Sequence, residues 1–428
     1  MPSRIAALPL LLALAATPAL AQLQEGEKAT AEQVATGEVP AEKISEEELA
    51  LRALPAGVPT PKWSRTAAEA LLTYIGRIHE EGLDPVDYAP DRLQAAIESG
   101  DPLALDTAAT DTFLRISSDL ALGHVRGDSR MDWHVHDQED LNSTDQLALM
   151  QRAIENETIH DSLNSLLPTH PQYAELKALL HTATDKALLD KARSNLDRWR
   201  WLPRDLGPRY VIVNVPAYTV ALVEDGRVVA RHRAVVGAPK TATPQLTATA
   251  TGVIFNPWWE VPMSIASEVR GKKGYVAVKT PEGGTRYRQP PGPGNALGKL
   301  KFVMWNPQAI YLHDTNAKSK FNSRVRAFSH GCIRTEHIMD LATLLLTEGS
   351  DEWTPEKVQA TLASGKTVQA KFPKPLPVYI VYMSSAAHVD GHIVDYADVY
   401  KRDGKVIAAL LDGRKGGVEK AADKLAAK

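Results

Sequence analysis

The apolar residues of this chain change their period near residue 205, and that change limits the folds open to it. From Trp63 the pattern is helical: Ala67, Leu71, Leu72, Ile75 and Ile78 fall on one stripe. Gly82-Leu83-Asp84-Pro85 ends that helix, and Pro90-Asp91 opens another through Leu93 and Ile97. A third spans Ala108 to Leu122, with Phe113, Leu114, Ile116 and Leu120 on one face. Segments 146–154, 162–167 and 173–201 read as further helices, interrupted by Pro168 and Pro171. Past Trp201 the period becomes two. Tyr210 to Val215 and Tyr218 to Val223 read as strands, Glu224-Asp225-Gly226-Arg227 as a hairpin turn, and Val228 to Val236 as the returning strand. Thr251–Phe255, Lys301–Trp305, Ile310–His313, Thr367–Phe372 and Val378–Met383 continue in that style, with a helix at Ile338–Leu346 and a last hairpin expected over His392–Val399 and Val406. The expected architecture is α+β and multidomain: a helical domain at 62–201, then a mainly β, sandwich-like domain at 208–413. Residues 263–287, rich in Lys and Gly, interrupt the β pattern as a lid.

The ends read differently. Arg4 precedes an apolar run from Ile5 to Ala16, and Ala19-Leu20-Ala21 forms a small-x-small site before Gln22. This is the pattern of a cleaved export signal at 1–21; the run is shorter than the ~18 apolar residues expected of a membrane span. Residues 22–61, rich in Glu, Ala and Lys, read as a flexible linker, and 414–428 as a frayed tail. The formal net charge of −3 argues against a nucleic-acid partner, which favours a strongly basic face.

Chemistry concentrates at Phe328-Ser329-His330-Gly331-Cys332-Ile333-Arg334. Cys332 is the one cysteine of the chain, so it cannot form an internal disulfide, and in an exported protein it reads as an intermolecular linker, a buried apolar residue or a reactive thiol. A cysteine nucleophile needs a base, a group to orient it, and donors for an oxyanion. His313, at the end of a strand and separated from His330 by sixteen residues, is the candidate base. Either the carbonyl or the carboxylate of Asp314 would orient it. The amides of Gly331 and Cys332 are candidate oxyanion donors, and a cysteine opening the following helix would gain from its dipole. Arg334 is suited to a substrate carboxylate. His134-Val135-His136 lacks the spacing of a metal site, so no metal is assigned.

The pairing of His313 with Ser329-His330-Gly331-Cys332 at this gap resembles the L,D-transpeptidase signature, whose catalytic domain is called YkuD. Leu196-Asp197-Arg198-Trp199-Arg200-Trp201-Leu202-Pro203, Pro257-Trp258-Trp259-Glu260-Val261-Pro262, the segment 289–298 and Ile310 to Thr315 are similar to the large YcbB-type branch, which carries a helical scaffold domain. The resemblance implies Cys332 as nucleophile, His313 as base, no cofactor, and a periplasmic enzyme acting on peptidoglycan stem peptides as donor and acceptor. A lysine of an outer-membrane protein is an alternative acceptor, and a weak association with the envelope goes with it. Tyr311, Ser329, His330, Arg334, Gln289, Asn295 and Trp258 are then expected around the substrate. Two departures accompany it: the stretch from Tyr173 to Ala192 is too short for the peptidoglycan-binding module usual in that branch, and the lid is trimmed. The reaction expected is thioester formation at the third residue of a tetrapeptide stem with release of D-Ala, then transfer to an amine to give a 3→3 cross-link. Hydrolysis of the same bond, or of protein–wall links, is the alternative; a non-catalytic wall binder is the second.

Overall fold

The computed structural model describes residues 61–135, 143–387 and 393–411. The export signal at 1–21, nearly all of the linker expected at 22–61, the tail at 414–428, His136 and His392 lie outside the described residues.

The first half is helical, and several of its helices start where a side-chain cap holds a free amide of the first turn. Helix α1 (Arg65–Arg77) begins at Ser64, whose hydroxyl accepts from the Ala67 amide at 3.0 Å. Helices α2 (Pro90–Ser99) and α3 (Pro102–Leu122) both carry Pro at N1. Asp101 caps α3, which therefore starts earlier than its apolar stripe suggests. Strand β1 (Trp133–His134) precedes α4 (Ser143–Glu155) and α5 (Ile159–Asn164). Residues 173–201 divide into α6 (Pro171–Thr182) and α7 (Lys186–Arg200), the second restarted by Asp185, whose carboxylate accepts from the Leu188 amide. Leu71, Ile75, Phe113, Ile116, Met150 and Leu163 are fully buried in the core of α1–α5.

Strands β2 (Arg209–Asn214), β3 (Thr219–Glu224), β4 (Arg227–Gly237) and β5 (Gln245–Phe255) follow. The last is longer than its apolar residues predict, because pairing with two neighbours defines it, not its Thr- and Ala-rich sequence. Then come β6 (Trp259–Glu260), the short α8 (Ala266–Val269), β7 (Val276–Lys279) and β8 (Thr285–Gln289). Strands β9 (Leu300–Met304), β10 (Leu312–His313), β11 (Ala327–Ser329) and β12 (Ile333–Thr335) lead into α9 (Ile338–Thr347) and α10 (Pro355–Ala363). The described chain closes with β13 (Val368–Val381), β14 (Ser385–Ala387), β15 (Ile393–Asp395) and α11 (Asp403–Leu411).

Among the described residues the main sheet runs β1-β5-β13-β2-β3-β4-β12-β10-β9, with β11 beside β4. It curls until β9 pairs with β5, so the sandwich-like expectation takes the form of a sheet closed round one core. Leu300, Phe302, Leu312 and Ile333 point into that core with α9, which contributes Leu341, Ala342 and Leu346. By the alternation of side chains along a strand, Lys301, Tyr311, His313, Cys332 and Arg334 take the opposite face. Segment 259–289 folds as a separate sheet, β6-β8-β7, with Val261, Ile265 and Val269 buried beneath it.

Two sequence expectations are corrected. Val406 lies in α11, not in a hairpin; the Asp398 carboxylate accepts from the amides of Arg402 and Asp403, and Val406 packs with Val125 and Trp201. Cys332 does not open a helix: β12 intervenes, and α9 begins at Ile338.

Helix α7 joins the helical part to the sheet through buried charge. Arg198 makes a 2.7 Å ion pair with Asp403 and donates to Ser384 Oγ at 3.1 Å. Asn195 brackets the same serine, donating to its hydroxyl at 3.0 Å and accepting its amide at 2.9 Å. Asp197 accepts from the amides of His124 and Val125 and from the Trp201 indole. A buried charge is tolerated only when paired and hydrogen-bonded in this way.

Candidate active site

The site is assembled by three neighbouring strands. Parallel pairing of β10 with β12 sets His313 opposite Arg334, and the Ile333 amide donates to the Tyr311 carbonyl at 3.0 Å. Antiparallel pairing of β9 with β10 sets Lys301 opposite His313. Cys332 stands at the mouth of β12, two residues before Arg334 and so on the same face.

The turn that delivers Cys332 depends on Gly331, whose φ of +114° is a conformation L side chains rarely adopt. A Cβ there would come within 3.2 Å of Ile310 Cδ1. Ser329 locks the turn from inside: its hydroxyl donates to the Cys332 carbonyl at 2.6 Å and accepts from the Gly331 amide at 3.1 Å. The Gly331 amide is therefore occupied. The Cys332 amide makes no hydrogen bond among the described residues and is the amide free to meet an oxyanion.

His313 is buried, at 5% exposure. Its Nδ1 bonds the carbonyl of Asp314, which sets Nδ1 as the protonated nitrogen and leaves the Nε2 lone pair free. Burial, reinforced by the Arg334 charge, lowers its pKa to about 3, so the ring is neutral at ordinary pH. The orienting group of Asp314 is thus its carbonyl. Its carboxylate accepts from the Lys299 amide at 2.9 Å and pairs with Lys318. Gly298 is what lets that carboxylate fit: a Cβ at Gly298 would lie 2.3 Å from Asp314 Oδ2.

Cys332 is partly buried. Burial pushes its thiol up, while hydrogen bonds from the Tyr311 backbone and hydroxyl, and the charges of Lys301 and Arg334, work the other way. Its sulfur lies 3.7 Å from the Ala309 carbonyl, and no hydrogen bond joins it directly to His313 among the described residues. Tyr311 meets the His313 ring edge-on, 5.6 Å between centroids. Thiol and imidazole are thus held as a neutral pair on one sheet face, suited to transferring a proton when a substrate carbonyl arrives.

The remaining residues read from the sequence divide. Exposed His330 faces Glu268 of α8, Nε2 to Oε1 3.3 Å, and so touches the lid. Trp258 lies under the Arg288 guanidinium, 3.8 Å from its ring centroid. Gln289 and Asn295 spend their polar atoms on the backbone of loop 290–299 and its neighbour Pro257: Gln289 donates to the Gly294 carbonyl, and Asn295 to those of Pro257 and Pro290. Both are buried supports of that loop. The sequence reading missed Lys301 and Glu268. Lys301 was legible as the one cation in an otherwise apolar strand; Glu268 carried no signal. Among the described residues no group of three His, Cys, Asp or Glu side chains is placed to hold a metal ion, and no helix is long and apolar enough to cross a membrane.

Residues 208–370 match the L,D-transpeptidase catalytic domain (YkuD), and residues 58–180 match the Scaffold domain. A Haemophilus influenzae protein named "Putative L,D-transpeptidase" is 28% identical over 291 residues, covering 61% of this chain and 58% of that protein. The chain thus spans less than two thirds of the length of that relative. Among solved structures, an L,D-transpeptidase from Mycobacterium smegmatis overlaps 41% of this chain and 58% of its own, at 17% identity and a TM-score of 0.22. The C442S mutant of the Enterococcus faecium L,D-transpeptidase overlaps 42% and 52%, at 16% identity and a TM-score of 0.22. On these two matches, the chain carries an L,D-transpeptidase catalytic domain (YkuD) behind a Scaffold domain.

Proposed function

We propose that the protein is a cysteine L,D-transpeptidase of the cell envelope that acts on peptidoglycan stem peptides and works without a cofactor. The reading is supported by the strand pairing that puts His313 opposite Arg334, two residues beyond Cys332, and by the bond that ties the Nδ1 of a neutral His313 to the Asp314 carbonyl. A base needs an open lone pair and a fixed ring, and both are supplied.

When the donor binds, the Cys332 thiol gives its proton to His313 Nε2 and the sulfur attacks the carbonyl carbon of the third stem residue. The carbonyl oxygen takes the negative charge, and the Cys332 amide donates to it. Collapse breaks the carbon–nitrogen bond. The imidazolium returns its proton to the departing nitrogen, D-Ala leaves, and a thioester remains. An incoming amine then attacks the thioester and loses its proton to His313. The carbon–sulfur bond breaks, and a new amide forms. If the amine belongs to the third residue of another stem, the product is a 3→3 cross-link; a lysine of an outer-membrane protein would give a tether to the wall.

The test is mass spectrometry of a disaccharide-tetrapeptide incubated with the mature protein, beside a Cys332→Ala control. A dimer lacking one D-Ala, absent from the control, is the expected product. Tripeptide without dimer would move the assignment to hydrolysis. Release of D-Ala by Cys332→Ala would sink the mechanism.

A further inference from the structure

Two cations flank the candidate base, and among the described residues neither has an anionic partner. Register alone places them: Lys301 on β9 opposes His313 on β10, which opposes Arg334 on β12. Directly opposed residues share a sheet face, so the three side chains form a row across three strands. Lys301 Nζ lies over the Tyr311 ring, 5.0 Å from its centroid, so the ammonium is turned toward the sulfur end of the row. Among the described residues neither Lys301 Nζ nor the Arg334 guanidinium makes an ion pair or a hydrogen bond, and Arg334 Nε is buried without a partner. Glu260, which approaches Lys301, pairs with Arg288 at 3.7 Å. His313 cannot neutralise the row because it carries no negative charge, and burial disfavours both cations as they stand. Two half-buried, unpaired positive charges on one face are an anion site in want of an anion.

We propose that Lys301 and Arg334 together bind the free carboxylate of the residue that leaves in the first step, and that Lys301 thereby determines specificity for donors ending one residue past the scissile bond. This rests on the transpeptidase reading for the identity of the carboxylate; the anion site itself does not. Covalent geometry selects the group. The carboxyl carbon of the leaving residue lies about 3–4 Å from the scissile carbonyl carbon. The row lies two residues along the strand from Cys332, or about 6–7 Å. A carbonyl held at the sulfur therefore extends its leaving group toward the cations. A donor with a further residue attached would present an amide there instead of a charge.

The single cysteine allows a test that needs no substrate. Alkylation of Cys332 by iodoacetate and by iodoacetamide is followed by mass, with free cysteine as reference, on the mature chain and on Lys301→Met and Lys301→Arg. The carboxylate reagent should be favoured over the neutral one by about tenfold relative to free cysteine. Lys301→Met should remove most of that preference and Lys301→Arg restore it, with all three chains melting alike. A preference that Lys301→Met leaves unchanged overturns the proposal. So does a variant that slows both reagents equally by shifting the thiol titration, since the lysine would then serve the thiolate alone. In the second arm, the tetrapeptide and its C-terminal amide compete to acylate Cys332. The acid should win in the native chain and lose its advantage in Lys301→Met; equal acylation of the native chain refutes the assignment to the leaving carboxylate. If neither peptide acylates while the alkylation preference behaves as expected, the anion site stands, and the donor assignment falls with the transpeptidase reading.

Discussion

Replacing Gly298 with alanine tests whether the packing beside His313 is as tight as the geometry states. Gly298 has a φ of +61°, and a Cβ there would meet the Asp314 carboxylate at 2.3 Å and its Cβ at 2.7 Å. A left-handed conformation costs a non-glycine residue about 1–2 kcal/mol, partly offset by about 0.4–1 kcal/mol from a less free unfolded chain. The collision adds an overpacking cost of about 1–3 kcal/mol, since Asp314 is held by Lys299 and Lys318 and cannot simply swing away. The net expectation is a loss of about 2–4 kcal/mol. Gly349 is the control: its φ is +68°, and nothing lies within 4 Å of its Cβ position, so Gly349→Ala should cost only the backbone difference, about 0–1.6 kcal/mol. Urea denaturation of both variants measures the difference directly. D-Ala release should also fall further in Gly298→Ala, because moving Asp314 moves the carbonyl that fixes the imidazole. If the two variants lose the same stability, the collision is not real, and the account of how loop 290–299 braces His313 is wrong.

His313→Ala should cripple acylation of Cys332 far more than His330→Ala, read as the rate of adduct formation with a tetrapeptide; equal losses would remove His313 as the base. Because burial holds His313 at about 3, against about 6.5 when unfolded, the unfolded chain binds the extra proton first. This contribution to stability is complete above about pH 6.5 and is lost as pH falls toward 3; urea midpoints of the native chain should drop more steeply over that window than those of His313→Phe. Arg198→Ala leaves Asp403 buried without its ion pair, so a loss of about 3–5 kcal/mol is expected in the same measurement. Glu268→Gln, by contrast, touches a pair in which both side chains are about half exposed, and should change stability by less than about 1 kcal/mol.

Local chemistry made much of this protein legible from its residues. A stripe repeating every three to four positions can be buried only by a helix, and alternation only by a strand. Hence the helical stretch from Trp63, the strands from Tyr210, and the choice of Cys332 and His313 as candidate nucleophile and base were all available before any contact was known. The glycine before Cys332 and the Ser-His pair marked a constrained turn. Register was not legible, because it depends on which strands become neighbours. Only the closed sheet made Lys301 the partner of His313, and without that pairing it was a lysine in a strand. The same holds for Gln289 and Asn295, whose amides suit a substrate as well as they suit a loop; the fold turned them inward. It holds also for Asn195-Leu196-Asp197-Arg198-Trp199-Arg200-Trp201, where the sequence marked the end of the helical part. Burial of Arg198 against Asp403, some two hundred residues away, is what makes that helix the joint between the two parts. Periodicity is a property of neighbours along the chain, and it determined the elements. The pairing of distant charges and amides is a property of neighbours in space, and tertiary structure alone decided it.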